Sequence, residues 1–459
     1  MLRKELNFPK GTVEKMSKKL SALLITIMLT LAIIAPSAAY ATEEPKIAAK
    51  AAILIDAKNG NILFEKNPDD ILFPASTTKV MTALVTFDAV KKGEISLEQP
   101  LKFSQEAADS LPWDGSSISL KVGEEMKLEN LLQGLLIASG NDAAMCIAEG
   151  VGGTVDEFVA RMNQKAKALK LKNTNFVNPH GLQDKNHYTT VSDMAKIARA
   201  AMQYEEFRKI VECAHIYLPE TNMSDKRYFI NTNNLVSRMR YPYYYYDKAT
   251  GIKTGSTSEA GYCLVSSAAD GDKSVIAVVF NANDIAQSHN ESKALLQYGI
   301  TQFNIKRLAQ KEDIFGEVKV KQAADGTDHI LLSSESNLEV LLPKDADESK
   351  IETKTDIPDK VYAPIMPGQV IGKTEFMYDG KKIGEVKLVS TVKIKRHIFG
   401  FLMSFGEWLW GFRTVKVVVF LVLGIALAFI VLVAVGFAKA LKKSKSKKRR
   451  TNRYSPPKY

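Results

Sequence analysis

The spacing of apolar positions changes along this chain, and each change predicts a different kind of structure. From Ala48 to about Phe303, short runs of strand character (Ala51 to Ile55, Asn61 to Phe64, Ser274 to Phe280) mix with longer stretches in which apolar residues recur every three or four positions (Thr77 to Val90, Leu128 to Ile137, Thr154 to Leu169, Ser192 to Met202). The first pattern suits strands and the second helices, so the region predicts one large α/β or α+β domain. From about Asn304 to Arg396 the helical spacing stops. Short alternating runs replace it (Glu317 to Lys321, His329 to Ser333, Leu338 to Leu342, Lys387 to Lys393), separated by turn signals such as Asp379-Gly380, and they predict a small, sandwich-like β domain.

Two uninterrupted apolar runs flank this body. Leu20 to Ala35 follows Lys18 and Lys19 and precedes Pro36 and Ala39-Tyr40-Ala41, the layout of a secretory signal cut after Ala41. Val417 to Phe437 is 21 residues without a charge, and as a helix it would reach about 32 Å, enough to cross a bilayer. Lysines and arginines crowd its C-terminal side from Lys439 to Arg450, which predicts a single-pass protein of the cell membrane with its body outside and its tail in the cytoplasm. Trp408, Trp410 and Phe412 stand where an interfacial aromatic belt would lie. The expected order is a signal peptide at 1–41, a large domain at 47–303, a β domain at 304–396, an interfacial amphipathic segment at 397–414, a transmembrane helix at 415–437 and a basic tail at 438–459.

Composition alters this picture little. With 46% apolar and 25% charged residues, the 459-residue chain is an ordinary globular protein between its two ends. The net charge of +11 invites a nucleic-acid partner, but residues 438–459 carry +10 and residues 1–19 carry +4, which leaves 20–437 at −3. The basic character belongs to the tails, so no nucleic-acid partner is expected. Cys146, Cys213 and Cys263 are an odd, scattered set and form no disulfide framework; each is expected to be a buried single thiol, with a chance pairing of two left open. Six histidines include no His-Glu-x-x-His and the cysteines no Cys-x-x-Cys, so no metal or other cofactor is expected.

Chemistry enters at Ser76-Thr77-Thr78-Lys79, just before the apolar helical run Val80 to Val90. Three residues are nearly one helical turn, so the Lys79 amine would share a face with the Ser76 hydroxyl, near free N–H groups and the positive end of the helix dipole. Alone, this spacing is common, and Ser76 would serve as well as an N-cap. Two further elements change its weight: Ser139-Gly140-Asn141 after the run Leu128 to Ile137, and Lys253-Thr254-Gly255 shortly before a strand-like run. Ser-x-x-Lys, Ser-x-Asn and Lys-Thr-Gly together mark class A β-lactamases and penicillin-binding proteins.

With these three elements in that order, the chain closely resembles the low-molecular-mass penicillin-binding proteins that are serine D-alanyl-D-alanine carboxypeptidases. Asn178 to Leu182, Tyr188 to Thr190, Ser192 to Ala195, Asn231 to Leu235, Ala260 to Cys263 and Leu295 to Gly299 are similar to that family as well, and Ala363 to Gln369 with Gly384 to Val389 resembles its C-terminal β domain. The resemblance implies a β-lactamase/transpeptidase-like catalytic domain. It also implies peptidoglycan stem peptides ending in D-Ala-D-Ala as substrates, β-lactam antibiotics as acylating inhibitors, and a place in cell wall biogenesis. Such a substrate needs a nucleophile, a base, an oxyanion site and a cation. Ser76 would attack and carry the acyl group. Lys79 would take its proton, its pKa lowered by burial and by Lys253. Ser139 would pass a proton to the departing amine, and Asn141 would fix Lys79 and the substrate amide. Lys253 and Thr254 would draw in the carboxylate, with Gly255 and Ser256 beside them, and the backbone N–H groups of Ser76 and Ser256 would hold the oxyanion.

One departure from the family pattern bears on substrate grip. An arginine that helps bind the terminal carboxylate is expected a few residues before Leu295-Leu296, and Gln287-Ser288-His289-Asn290 contains none. His180 is read as a structural histidine, and Tyr241 to Tyr246 as a packing cluster or as the approach to the cleft. A β-lactamase would need a glutamate to activate water against the acyl-enzyme, but residues 172–187 offer Asp184 and no glutamate. A silent penicillin-sensing module would keep the fold and lose the chemistry; the intact Ser76, Lys79 and Lys253 argue for turnover.

Overall fold

The computed structural model describes residues 44–397 and 410–451. The expected signal at 1–41, most of the interfacial segment and the end of the basic tail lie outside the described residues. The described chain divides into two compact units, one running to Leu308 and adding Glu339–Ile351, the other holding Ala309–Leu338 and continuing from Glu352.

The first unit is built on five strands in the spatial order Ile62–Lys66, Ala51–Asp56, Lys273–Ala282, Gly261–Asp270, Ala249–Thr257, each antiparallel to its neighbours. The class is therefore the α+β half of the expectation. Every residue of Ala51–Asp56 is buried, because successive side chains point to opposite faces and both faces are covered. Ala51, Ile53 and Ile55 join a core shared with the helices Lys79–Lys91, Asn141–Gly152 and Val191–Ala201; Ala52 and Leu54 join a second core closed by Leu295, Leu296 and Ile300 of the helix Ile285–Gln302. The helix Lys79–Lys91 is apolar nearly all round and lies in the first core, which is why a lysine at its first position ends up without contact to solvent.

All three cysteines are free thiols. Cys146 and Cys263 are buried as expected, but Cys213 is exposed. It follows the helix Glu205–Glu212, where the chain turns to extended backbone and leaves the core.

The second unit carries a six-stranded sheet in the order Ile351–Asp356, Val370–Tyr378, Lys381–Ser390, His329–Ser334, Ile314–Lys321, Lys360–Tyr362; the three pairings from Val370–Tyr378 to Ile314–Lys321 are antiparallel and the last is parallel. One face buries Val318, Val320, Ile330, Leu332, Phe376, Val386 and Leu388, as strand alternation requires. The C-terminal helix Arg413–Thr451 contains an apolar stretch, Lys416–Lys442, of mean hydropathy 3.3 in which no residue is buried. Its 27 residues would extend about 40 Å, long enough to span a bilayer.

Candidate active site

Ser76 sits in a tight turn, Ala75–Thr78, that runs directly into the helix Lys79–Lys91. Ala75 enters this turn at φ 48°, a left-handed conformation that a residue with a side chain adopts at some cost, and such strain collects at functional sites. Three positions on from the serine, Lys79 is fully buried. Its Nζ lies 2.9 Å from Ser76 Oγ, 2.7 Å from Asn141 Oδ1 and 2.8 Å from the His180 carbonyl oxygen. Burial holds the Lys79 amine well below the usual lysine range, the Lys253 charge pushes it the same way, and Asp142 opposes both.

Asn141 reaches Lys79 from a second direction. The helix Leu128–Gln133 widens into one π turn over Gly134–Ala138, a feature that often marks functional sites. Ser139 then takes φ 65°, and the helix Asn141–Gly152 begins. Asn141 N–H donates to the Ser116 carbonyl at 2.7 Å. Next to it, the buried Asp142 carboxylate accepts from Ile118 N–H and Leu120 N–H, both at 3.0 Å, and from the Ser117 hydroxyl, so it ties down the loop that carries Ser116. The His180 segment is fitted just as closely. At Gly181, φ +90°, a Cβ would fall 1.9 Å from the Ala75 carbonyl oxygen. His180 itself is structural in its contacts: its ring accepts from Leu182 N–H, and burial with Lys79 beside it pushes its pKa down to about 3.

Lys253-Thr254-Gly255 lies within the edge strand Ala249–Thr257, not in a turn before a strand. That strand contains Gly251 and Gly255 and few strongly strand-forming residues, so its sequence carries a weak signal. Gly255 has a reason to be there. A Cβ on it would sit 2.9 Å from the backbone nitrogens of Ser76 and Thr77, so only glycine lets the strand lie this close to the turn that carries Ser76. Lys253 is fully buried, donates to the Thr254 carbonyl at 2.9 Å, and is pushed by burial down to about 7. The Thr254 hydroxyl donates to Thr232 Oγ1 at 2.7 Å.

These elements enclose a cavity of about 290 Å³. Of the residues expected from the sequence, Ser76, Ser139, Thr254, Gly255 and Ser256 line it, whereas Lys79, Asn141 and Lys253 are buried behind its wall. Ser116, Thr232, Arg240, Ser288 and His289 also line it and were not foreseen as site residues. Tyr241 lines the cavity too and stands against Tyr243 and Tyr244, while Tyr244 and Tyr246 are buried. The tyrosine run is thus partly packing and partly approach. The only advance signal for Thr232 was the family-like segment Asn231 to Leu235.

A serine beside a buried amine, with a loop asparagine and a glycine-bearing strand closing around them, matches what comparison finds. The D-alanyl-D-alanine carboxypeptidase family model matches residues 38–284, and the model of the penicillin-binding protein 5 C-terminal domain matches residues 303–396. D-alanyl-D-alanine carboxypeptidase DacF of Bacillus subtilis is 36% identical over 400 residues, covering 86% of this chain and 99% of that protein. DacA of Haemophilus influenzae is 32% identical over 390 residues, 82% of this chain and 92% of the relative. The crystal structure of penicillin-binding protein 5 from Haemophilus influenzae superimposes with a TM-score of 0.66 at 31% identity, over 77% of this chain and 99% of that one. By its sequence along nearly the whole length of these relatives and by its fold, the chain belongs to the D-alanyl-D-alanine carboxypeptidase family.

Proposed function

We propose that this chain is a serine carboxypeptidase that removes the terminal D-alanine from peptidoglycan stem pentapeptides through an acyl-enzyme on Ser76, and that β-lactams acylate the same serine. The observation that carries the reading is the environment of Lys79. A neutral amine has two N–H donors and one lone pair, and Lys79 Nζ has two acceptors, Asn141 Oδ1 and the His180 carbonyl, with the Ser76 hydroxyl as its third neighbour. The lone pair is therefore left for the serine proton. Ser76 Oγ attacks the carbonyl of the penultimate D-alanine, its proton passes to Lys79, and the oxyanion rests on the backbone N–H groups of Ser76 and Ser256. The C–N bond then breaks as Ser139 relays a proton to the departing amine. Water hydrolyses the ester, returning a proton through Lys79 to Ser76. Burial keeps Lys79 neutral, with the Lys253 charge behind the wall acting in the same direction, and Thr254 and Ser256 present hydroxyls to the substrate.

The free edge of the strand Ala249–Thr257 offers backbone groups to an extended peptide, which suits a stem-peptide substrate. We place the catalytic unit outside the cell, with the helix Lys416–Lys442 spanning the membrane and the basic tail in the cytoplasm. The deciding experiment is incubation of the full-length, detergent-solubilised protein with a pentapeptide muropeptide followed by mass analysis. Loss of one D-alanine is expected, and an unchanged pentapeptide would remove the reading.

A further inference from the structure

In a D-Ala-D-Ala substrate the terminal carboxylate lies one residue beyond the attacked carbonyl. One extended residue spans at most about 3.6 Å, so the cation that receives this carboxylate must share the cavity with Ser76. The charged groups near that cavity can be taken one by one. Lys79 is committed to Ser76, Asn141 and His180 and lies behind the wall. Lys253 also lies behind the wall, its amine turned to the Thr254 carbonyl. The helix Ile285–Gln302 presents Ser288 and His289 to the cavity, and the His289 ring is engaged at both nitrogens, Nδ1 donating to the Ile285 carbonyl at 2.9 Å and Nε2 accepting from Asn234 N–H at 3.3 Å. Burial holds that ring down to about 4, so it is neutral. Among the described residues, no aspartate or glutamate is on the wall. What remains is Arg240.

Arg240 lines the cavity, is exposed to solvent, and has no hydrogen bond or ion pair among the described residues. Its neighbours in the chain are held. Arg238 stacks over the Tyr245 ring at 4.1 Å, Met239 Sδ takes the Tyr228 hydroxyl at 3.1 Å, and Tyr241 stands against Tyr243 and Tyr244. A guanidinium keeps its charge throughout the physiological range, is less strongly hydrated than an ammonium, and matches a carboxylate with two parallel N–H donors. An unpaired arginine on an otherwise uncharged wall is suited to receive an anion that the protein itself does not supply.

We propose that Arg240, delivered by the tyrosine-rich segment, is the residue that grips the substrate's terminal carboxylate, acting with the hydroxyls of Thr254 and Ser256. This rests on the carboxypeptidase reading and adds to it a specificity-determining residue, in place of the arginine absent from 287–290.

The test uses the full-length, detergent-solubilised protein and two peptides, diacetyl-L-Lys-D-Ala-D-Ala and the same peptide with its C-terminal carboxylate amidated, with release of D-alanine or D-alaninamide followed by mass analysis. Arg240→Ala should lower kcat/KM for the free acid by roughly 10- to 100-fold, mainly through KM, as expected for loss of a charge-assisted pair. The loss on the amide should be at least fivefold smaller, and Arg240→Lys should recover part of the preference for the acid. Arg240→Gln, which keeps length and polarity, guards against a packing effect and should behave as the alanine variant does. Equal losses on both peptides, or no loss on the acid, would overturn the assignment of Arg240 while leaving the carboxypeptidase reading in place. Failure of the unaltered protein to release D-alanine from the free acid would overturn that reading and this inference with it.

Discussion

Two buried lysines of the catalytic unit and two paired lysines of the second unit are driven in opposite directions. In the catalytic unit, Lys79 and Lys253 are fully buried, each lowered chiefly by burial, and among the described residues neither faces a carboxylate at ion-pair distance. On the six-stranded sheet, Lys373 and Lys382 each pair with Glu375 and Glu385, one partner on the same strand and one on the neighbouring strand, at 2.7 to 3.2 Å, and hydrogen bonds to those carboxylates raise both lysines. The side chain is the same; what differs is whether water and a counter-charge accompany it. Lysine is a point charge by default and becomes a base only where a fold can bear the cost of stripping both away.

The comparison breaks most sharply at the proposed nucleophile. Ser76→Ala should reduce D-alanine release by roughly ten-thousand-fold and abolish covalent labelling by fluorescent penicillin, with circular dichroism unchanged. Lys79→Arg tests the same point from the other partner, since it restores a charge that cannot be given up. It should be as inactive as Lys79→Ala; substantial activity would mean that the site needs a cation there and not a base.

A smaller effect is expected at Lys253. The proposed reaction needs neutral Lys79, so kcat/KM should fall as pH drops through the lowered Lys79 pKa. Lys253→Gln removes the like charge that helps to lower it. The acid limb should therefore move to higher pH, with the activity difference from the wild type largest below pH of about 7, where Lys253 is itself protonated. An acid limb that stayed in place would show that burial alone sets the Lys79 pKa.

Gly255→Ala probes the contact that holds the strand against the nucleophile's turn. With a backbone nitrogen 2.9 Å from the added methyl group, a loss of about 1 to 3 kcal/mol of stability is expected in chemical denaturation, together with slower penicillin acylation. The smallest effect belongs to the other region. Glu375→Gln should move Tm by less than about 2 °C, because exposed ion pairs contribute little and are screened by salt. A shift as large as that of Gly255→Ala would mean that the lysine–glutamate cluster does more for the second unit than its exposure suggests.

Much of this site was legible because its central pair is local. Ser76 and Lys79 are three residues apart, and a helix start brings them together whatever the rest of the chain does. Ser139 and Lys253 became readable only through the order of their triplets. Arg240 and Ser116 gave no such sign, and Thr232 only that of its family-like segment, since each reaches the cavity from a segment that tertiary packing alone brings near. The edge strand Ala249–Thr257 was weakly marked because the glycine its geometry requires is the residue that most lowers strand propensity. The exposure of Cys213 depended on where a short helix happened to end.

The strand Ala51–Asp56 has a further consequence, in the timing of folding. It pairs on one side with Ile62–Lys66, but on the other with Lys273–Ala282, more than 200 residues later in the chain. A chain synthesised from its N-terminus at about 5 to 20 residues per second waits roughly 10 to 45 s between the appearance of the first strand and that of its partner. Throughout that interval six residues destined for full burial have an open edge and no completed sheet. The catalytic unit can therefore close only after the strand Lys273–Ala282 has emerged, and any factor that shields Ala51–Asp56 until then would govern how much active enzyme is obtained.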